Sequence, residues 1–416
     1  MKLIRDSVVY DNSYSTSSWT LPAHASLFLG RYVSEHRFHS KKDLTTPIDF
    51  VEDTRERLLD PFTEFLKKEG YHTYGLSANP FISSYSGFSK GFDVFIDAPI
   101  LDQPPDFSLN SIVEKWIRGK INSGWDFFYK SFQSILSYTI NYGKILRTSD
   151  AVVNNKGGKE LIDVLTNNTL NSPFFLFINL MEMHEPYIRN EIVGLLRKDH
   201  LTDYYSPLKF TAYQKLRIIK RYREQGHIID QLIGRVLHFL KDKGMYENSL
   251  IIVLSDHGQS LWEQGYYGHG IFLYDHLVEI PLIIKYPYNW KPDKKGDSYY
   301  HSIVDIRELI EKWAESEKAE LKSRTEVFAE VYGINTALKP TYFFIDKEKL
   351  QMALLFRKAI FTRQKKLTLN SKFEFEDEYK SNRPIKVDRK DPVTGSMKDK
   401  IVELANSDPY FSGSLV

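Results

Sequence analysis

Residues 250–258 read LIIVLSDHG. Five apolar, mostly β-branched residues end in a serine, an acid, an imidazole and a glycine. The apolar run is what a buried strand needs. It delivers Asp256 and His257 at the strand's carboxyl end, where open α/β sheets place their ligand sites. Carboxylate oxygen and imidazole nitrogen suit a divalent cation, and Gly258 is expected to let the backbone turn sharply. Alone, Asp-His-Gly is a weak signal. It gains weight from its place after the strand and from the Gly/His-rich loop GYYGHG (265–270) that follows.

Other segments fit the same architecture. Residues 14–30, YSTSSWTLPAHASLFLG, pass from a polar Ser/Thr run through Pro22 into a short helical pattern that stops at Gly30. Residues 54–69 have an amphipathic pattern with Leu58, Leu59, Phe62, Phe65 and Leu66 on one side. Tyr71–Ala78 is a short strand closed by the Asn79-Pro80 turn. FFLFINL (174–180) is a second buried strand. Residues 212–243 form a long helix, with Ile229, Ile233, Val236 and Leu240 at helical spacing, and Ile280–Ile284 is a further strand. Strands separated by helices predict a doubly wound, mostly parallel sheet with helices on both faces. From about residue 325 the runs are shorter (Val327–Val331, Thr341–Ile345, Ala353–Phe361). They predict a small C-terminal α+β subdomain over 325–416, after a catalytic α/β domain over 1–324.

Composition narrows the function classes. Lys+Arg of 56 against Asp+Glu of 54 gives a net charge of +2, which offers no electrostatic case for a nucleic-acid partner. The 416 residues contain no cysteine, so thiol nucleophiles, disulfides and cysteine metal sites are excluded. No apolar stretch is long enough to span a membrane. Met1–Arg5 lacks a signal peptide's apolar run, and the expectation is a cytoplasmic chain. Aromatic residues make up 14%, a load that core packing explains most simply, although it also suits a sugar- or lipid-binding cleft.

Taken together, SWTLPAHASLFLGRY (18–32), GYHTYGLSANP (70–80), GFSKGFD (87–93), PFFLFINLMEMHEPY (173–187), SDHG (255–258) and VEIPLIIKYP (278–287) resemble the sulfatase family of the alkaline phosphatase superfamily. Order and spacing match from residue 1 to roughly residue 335. The resemblance implies an alkaline phosphatase-like fold and one divalent cation (Ca, Mg, Mn or Zn). It also implies attack by a side-chain nucleophile on a sulfate or phosphate ester of a small molecule, a glycan or a lipid head group. In the family signature the nucleophile is Cys or Ser two residues before Pro, with Arg two residues after that Pro. Here Thr20 holds the nucleophile position, Pro22 is kept, and His24 replaces the Arg.

Sulfatases oxidise their Cys or Ser to formylglycine; threonine would give a ketone. The supporting Lys-Trp-His segment is replaced by Ala78-Asn79-Pro80. The resemblance therefore implies a threonine nucleophile acting on phosphoesters, as in phosphonate hydrolase relatives and phosphoglycerol transferases, with true sulfate-ester cleavage as the alternative. A non-catalytic binding protein is a third reading. The implied metal ligands are Asp256, His257 and Thr20. The implied substrate contacts are His24, Asn79, His184 and His269, with His184 and His269 also catalytic. Family members begin with a strand and an Asp-bearing loop that completes the metal site. Lys2–Tyr14 matches the segment after it, so the expectation is a start displaced by about forty residues.

Each assignment has a plainer counterpart. Thr20 reads equally as a helix-capping hydroxyl, as do Thr16, Ser17 and Ser18. Asn79 reads as turn chemistry, and His184 as a histidine satisfied by its own loop. Glu182 and Glu185 read as solvated loop charges, and Lys294-Lys295 and Lys365-Lys366 as exposed surface charges.

Overall fold

The computed structural model describes residues 3–39, 57–97, 156–188, 210–292, 299–333, 347–363, 365–376, 378–380, 383–385 and 392–411. In chain order the strands are β1 (Val8–Val9), β2 (Ser13–Tyr14), β3 (His72–Ser77), β4 (Val94–Asp97), β5 (Phe174–Asn179), β6 (Ile251–Leu254), β7 (Ser260–Leu261), β8 (Tyr267–Gly268), β9 (Leu282–Lys285), β10 (His301–Ser302), β11 (Glu326–Tyr332), β12 (Phe356–Thr362), β13 (Lys366–Asn370) and β14 (Phe375–Glu376). Two short strands, Glu378–Lys380 and Arg383–Ile385, follow. The chain divides into two compact units, one built from residues 63–200 and 210–247, the other from residues 2–62, 201–209 and 248–416.

The first unit contains the parallel sheet β4-β3-β5. Register runs from His72 opposite Phe174 to Ser77 opposite Asn179. β3 is buried from Thr73 onward, and Gly75 is demanded by packing: a Cβ there would lie 2.3 Å from the Phe95 ring. The long helix Ala212–Asp242 begins with a capping box, in which Thr211 Oγ1 accepts from the Gln214 amide and Gln214 Oε1 accepts from the Thr211 amide. Beyond its end, Gly244 has a φ of 68°, a conformation that favours glycine.

The second unit carries the sheet β1-β9-β6. β9 runs antiparallel to both neighbours, pairing Leu254 with Leu282 on one side and Val8 with Ile284 on the other. The strand expected at 280–284 therefore reverses the parallel pattern. The helix Thr20–Leu29 forms as the sequence predicts, with Pro22 in the first turn and Gly30 left-handed at its end. Its N-cap is Trp19 and makes no side-chain cap. The Thr16 hydroxyl instead donates to Ser26 Oγ and the Ser15 hydroxyl to the Ser17 carbonyl. Thr20 is the first helical residue, so capping is not its role.

The C-terminal segment belongs to this unit. β11-β12-β13-β14 form an antiparallel sheet. Val327, Ala329, Val331, Ala359 and Phe361 share a core with Tyr14, Ile271, Leu277 and Val278. The strand expected over 353–361 begins only at Phe356, because Ala353 and Leu354 end the helix Lys347–Leu354. The strand expected over 341–345 and the pair Lys294-Lys295 lie outside the described residues. Lys366 is not a simple surface charge. It pairs with Asp275 at 2.9 Å and lies over the Phe361 ring, while Lys365 donates to Thr394 Oγ1.

Candidate active site

β6 ends at Leu254, and the next residues turn back over the start of the helix Thr20–Leu29. Thr20 Oγ1 lies 3.2 Å from His257 Nε2. The other ring nitrogen, Nδ1, donates to the Gly258 carbonyl at 2.7 Å. The ring proton is thereby held on Nδ1, and Nε2 offers its lone pair to the hydroxyl or to a cation.

Asp256 Oδ1 accepts from the His257 amide at 3.0 Å. Its Oδ2 lies 3.5 Å from His257 Nε2 and 3.5 Å from His24 Nδ1. Burial acts to raise the Asp256 pKa, but the imidazoles of His257, His24 and His269 outweigh it and hold the carboxyl below the usual range. His24 is 3% exposed, and burial pushes its pKa down, against the pull of Asp256. It is therefore a neutral donor, with Nδ1 also 3.0 Å from the Thr20 carbonyl. The charged Arg of the family pattern is replaced here by an uncharged ring that ties the nucleophile's backbone to the acid.

His269 completes the cluster. Its ring centroid is 4.3 Å from that of His257, and its Nδ1 is 2.8 Å from Gln259 Oε1. The Tyr266 hydroxyl donates to its carbonyl at 2.6 Å. Gly258 serves packing rather than a left-handed turn: a Cβ would lie 2.0 Å from the His276 carbonyl oxygen, and its amide donates to Leu277 O at 2.8 Å. The hairpin before His269 is strained, with left-handed backbone at Trp262 (φ 75°) and Gln264 (φ 46°).

The donor set fits a divalent cation. Ligand atoms around one small cation sit about 2.0–2.2 Å from it and so roughly 3–3.5 Å from one another. Thr20 Oγ1 and Asp256 Oδ2 each meet that spacing toward His257 Nε2, at 3.2 and 3.5 Å.

Asn79 and His184 belong to the other unit. Asn79 follows β3 and is 2% exposed. Its Oδ1 accepts from the Phe81 amide at 2.9 Å, the turn chemistry that was its plainer reading. His184 follows β5, with Nδ1 donating to the Glu185 carbonyl at 2.7 Å. Glu182 and Glu185 are not solvated. Glu182 is 1% exposed and accepts from the Gly158 amide, and burial raises its pKa. Glu185 Oε2 lies 3.6 Å from His184 Nδ1. Gln259 was missed in the sequence, since a glutamine after Asp-His-Gly carries no spacing signal; only its contact with His269 reveals it.

Solved structures share this fold. The phosphonate monoester hydrolase of Agrobacterium radiobacter matches with a TM-score of 0.61 at 15% identity, over 98% of this chain and 90% of that one. A 2-O GAG sulfatase matches with a TM-score of 0.60 at 13% identity, over 98% and 85%. Among curated relatives, an arylsulfatase of Clostridium perfringens is 26% identical over 220 residues, 47% of this chain and 44% of that protein. The N-acetylgalactosamine-6-sulfatase of Homo sapiens is 22% identical over 272 residues, 62% and 45%. The matched stretch thus spans less than half the length of either relative. The Sulfatase family pattern matches residues 1–315, most of the sequence, and the chain belongs to that family.

Proposed function

We infer that this chain cleaves a phosphate ester through Thr20, with one divalent cation held by Asp256, His257 and Thr20. The observation that carries the reading is the approach of Thr20 Oγ1 to His257 Nε2 at 3.2 Å, beside the Asp256 carboxylate. A bound cation would neutralise charge on the ester oxygens and acidify the hydroxyl. Thr20 Oγ attacks phosphorus and its proton passes to His269, which serves as the base. The bond from phosphorus to the leaving oxygen breaks, and that oxygen takes the proton back from His269. Water or an alcohol then bonds to phosphorus, the bond from phosphorus to Thr20 Oγ breaks, and the acceptor's proton restores the threonine hydroxyl. The helix that Thr20 opens contributes its unpaired N–H groups to a dianionic group at this position.

Phosphate is favoured over sulfate because a threonine cannot give the aldehyde of formylglycine. The sulfate-ester reading has its own support in the names of the curated relatives, both sulfatases. His184 and Asn79 are proposed as substrate contacts on resemblance alone. The substrate class is a small-molecule, glycan or lipid-head-group ester; among the described residues no helix is long and apolar enough to cross a membrane. The test compares aryl phosphate monoesters, diesters and sulfates with Mn, Mg, Ca and Zn in turn. Faster turnover of phosphoesters is expected. Equal or better turnover of the sulfate overturns the choice, and retention of activity by Thr20→Val removes the nucleophile.

A further inference from the structure

We propose that His36 is an acid-sensitive latch on the helix that Thr20 opens: its neutral ring clamps that helix through Ser26, and a proton on Nδ1 releases the clamp. His36 ends the short helix Val33–His36 and is 6% exposed. Its Nδ1 accepts from the Phe38 amide at 3.0 Å, so that nitrogen carries the lone pair. The one proton of the neutral ring is then on Nε2, 2.9 Å from Ser26 Oγ, which accepts it. Ser26 Oγ also accepts from the Thr16 hydroxyl at 2.7 Å, and the Thr16 carbonyl in turn accepts from the Glu330 amide at 2.7 Å. Thr16 and Ser26 are fully buried. One serine oxygen thus joins the loop before Thr20, the helix Thr20–Leu29 and His36. A proton added to Nδ1 would face the Phe38 N–H donor to donor. The ring must then turn, and Nε2 leaves Ser26.

Among the described residues no carboxylate pairs with the ring to compensate such a charge. Residues 13–19 carry no charged side chain, and the helix Thr20–Leu29 has only His24, which faces Asp256. On the segment of His36 itself, Glu35 accepts from the Tyr32 amide and Arg37 stands over the Tyr410 ring. From β11, Glu330 accepts from the Ser34 amide and pairs with Lys358, while the Tyr332 hydroxyl donates to Asp408. Burial first, then the positive potential of His39 and Arg31, hold the His36 pKa down to about 3, against the Pro22 carbonyl, which favours the charged form. An unfolded imidazole titrates near about 6.5. Between these values the unfolded chain takes up a proton that the folded one refuses. Stability is therefore lost as pH falls below about 6.5.

Denaturant unfolding over a pH series compares the parent with His36→Gln, whose amide keeps a donor toward Ser26 and does not titrate. Between about pH 7 and pH 5 the parent's folding constant should fall about 25-fold more than the variant's. Nitrogen-15 NMR of the histidine-labelled parent, with His36 identified through its bond from the Phe38 amide, should show the neutral Nε2–H tautomer at both pH values. Amide protection in the helix Thr20–Leu29 should fall with acid by a similar extra factor in the parent, since releasing the clamp frees that helix. A charged His36 ring in the folded parent at the lower pH overturns the proposal. So do equal acid losses in the parent and His36→Gln, or helix protection that acid leaves unchanged. Should His36→Gln not fold, the tautomer and the exchange in the parent decide alone. None of these readouts needs turnover, so the latch and the ester chemistry fail separately.

Discussion

Residues 251–270 and the sheet β11–β14 lie in the same compact unit and are built differently. The first stretch pairs four residues of β6, then two each in β7 and β8, and passes through left-handed backbone at Trp262 and Gln264. Its polar side chains bond chiefly to one another and to nearby carbonyls. In the second, β11 and β12 pair over seven residues in unbroken register. There a buried Lys358 joins Glu330 and Asp408, 2.9 Å from the latter, while Arg357 reaches Glu376 at 2.8 Å. Charge in the first stretch is gathered where chemistry can use it. In the second it is held in ion pairs inside a core. Substitutions should therefore separate activity from stability according to which stretch they touch.

The largest separation is expected from Thr20→Val, nearly isosteric but without the hydroxyl. Turnover should fall by about 10⁴-fold or more, with a melting temperature within about 4 °C of the parent. A collapse of the fold in this variant would break the comparison, since the site would then be holding the unit together.

Lys358→Met should do the reverse. It leaves the Glu330 and Asp408 carboxylates buried without their counter-charge, at a cost of about 3–5 kcal/mol in denaturant unfolding, while the folded fraction keeps its turnover. Acid provides a graded version. Burial acts to raise the Asp408 pKa, but Lys358 and the Tyr332 hydroxyl outweigh it and hold the carboxyl below its ordinary range. Its folded value is thus depressed, so its contribution is present above the unfolded value of about 3.9 and is lost as pH falls through the folded one. Asp408→Asn should flatten the stability loss of the parent below about pH 4, measured by unfolding at fixed denaturant.

The smallest effect sharpens the contrast from the other side. Gln264 adopts a φ of 46°, which glycine holds without strain. Gln264→Gly should raise stability by about 1 kcal/mol, seen as a small upward shift in melting temperature. A loss instead would mean that the hairpin's backbone is not strained.

The sequence made some of this legible and hid the rest for physical reasons. The helix bounds at Pro22 and Gly30 and the strand that leads to Asp256 could be read because punctuation and apolar runs are local signals. So was the pairing of Thr20 with His257, although only through resemblance, since 237 positions separate them. The antiparallel direction of β9 was not visible, because an apolar tetrapeptide looks alike in either direction. Glu182 and Lys366 were misread as solvated because their partners, Gly158 and Asp275, are distant in sequence. Gly258 was expected to be needed for its torsion angles and is needed for its size.

That last point bears on how such chains are judged when they drift. A descendant that lost its chemistry would be free to exchange Thr20, yet the carbonyl pressed against residue 258 would go on excluding every larger side chain. The glycine of the Asp-His-Gly signature therefore testifies to the shape of the backbone alone, and a lineage could keep it long after falling silent as a catalyst.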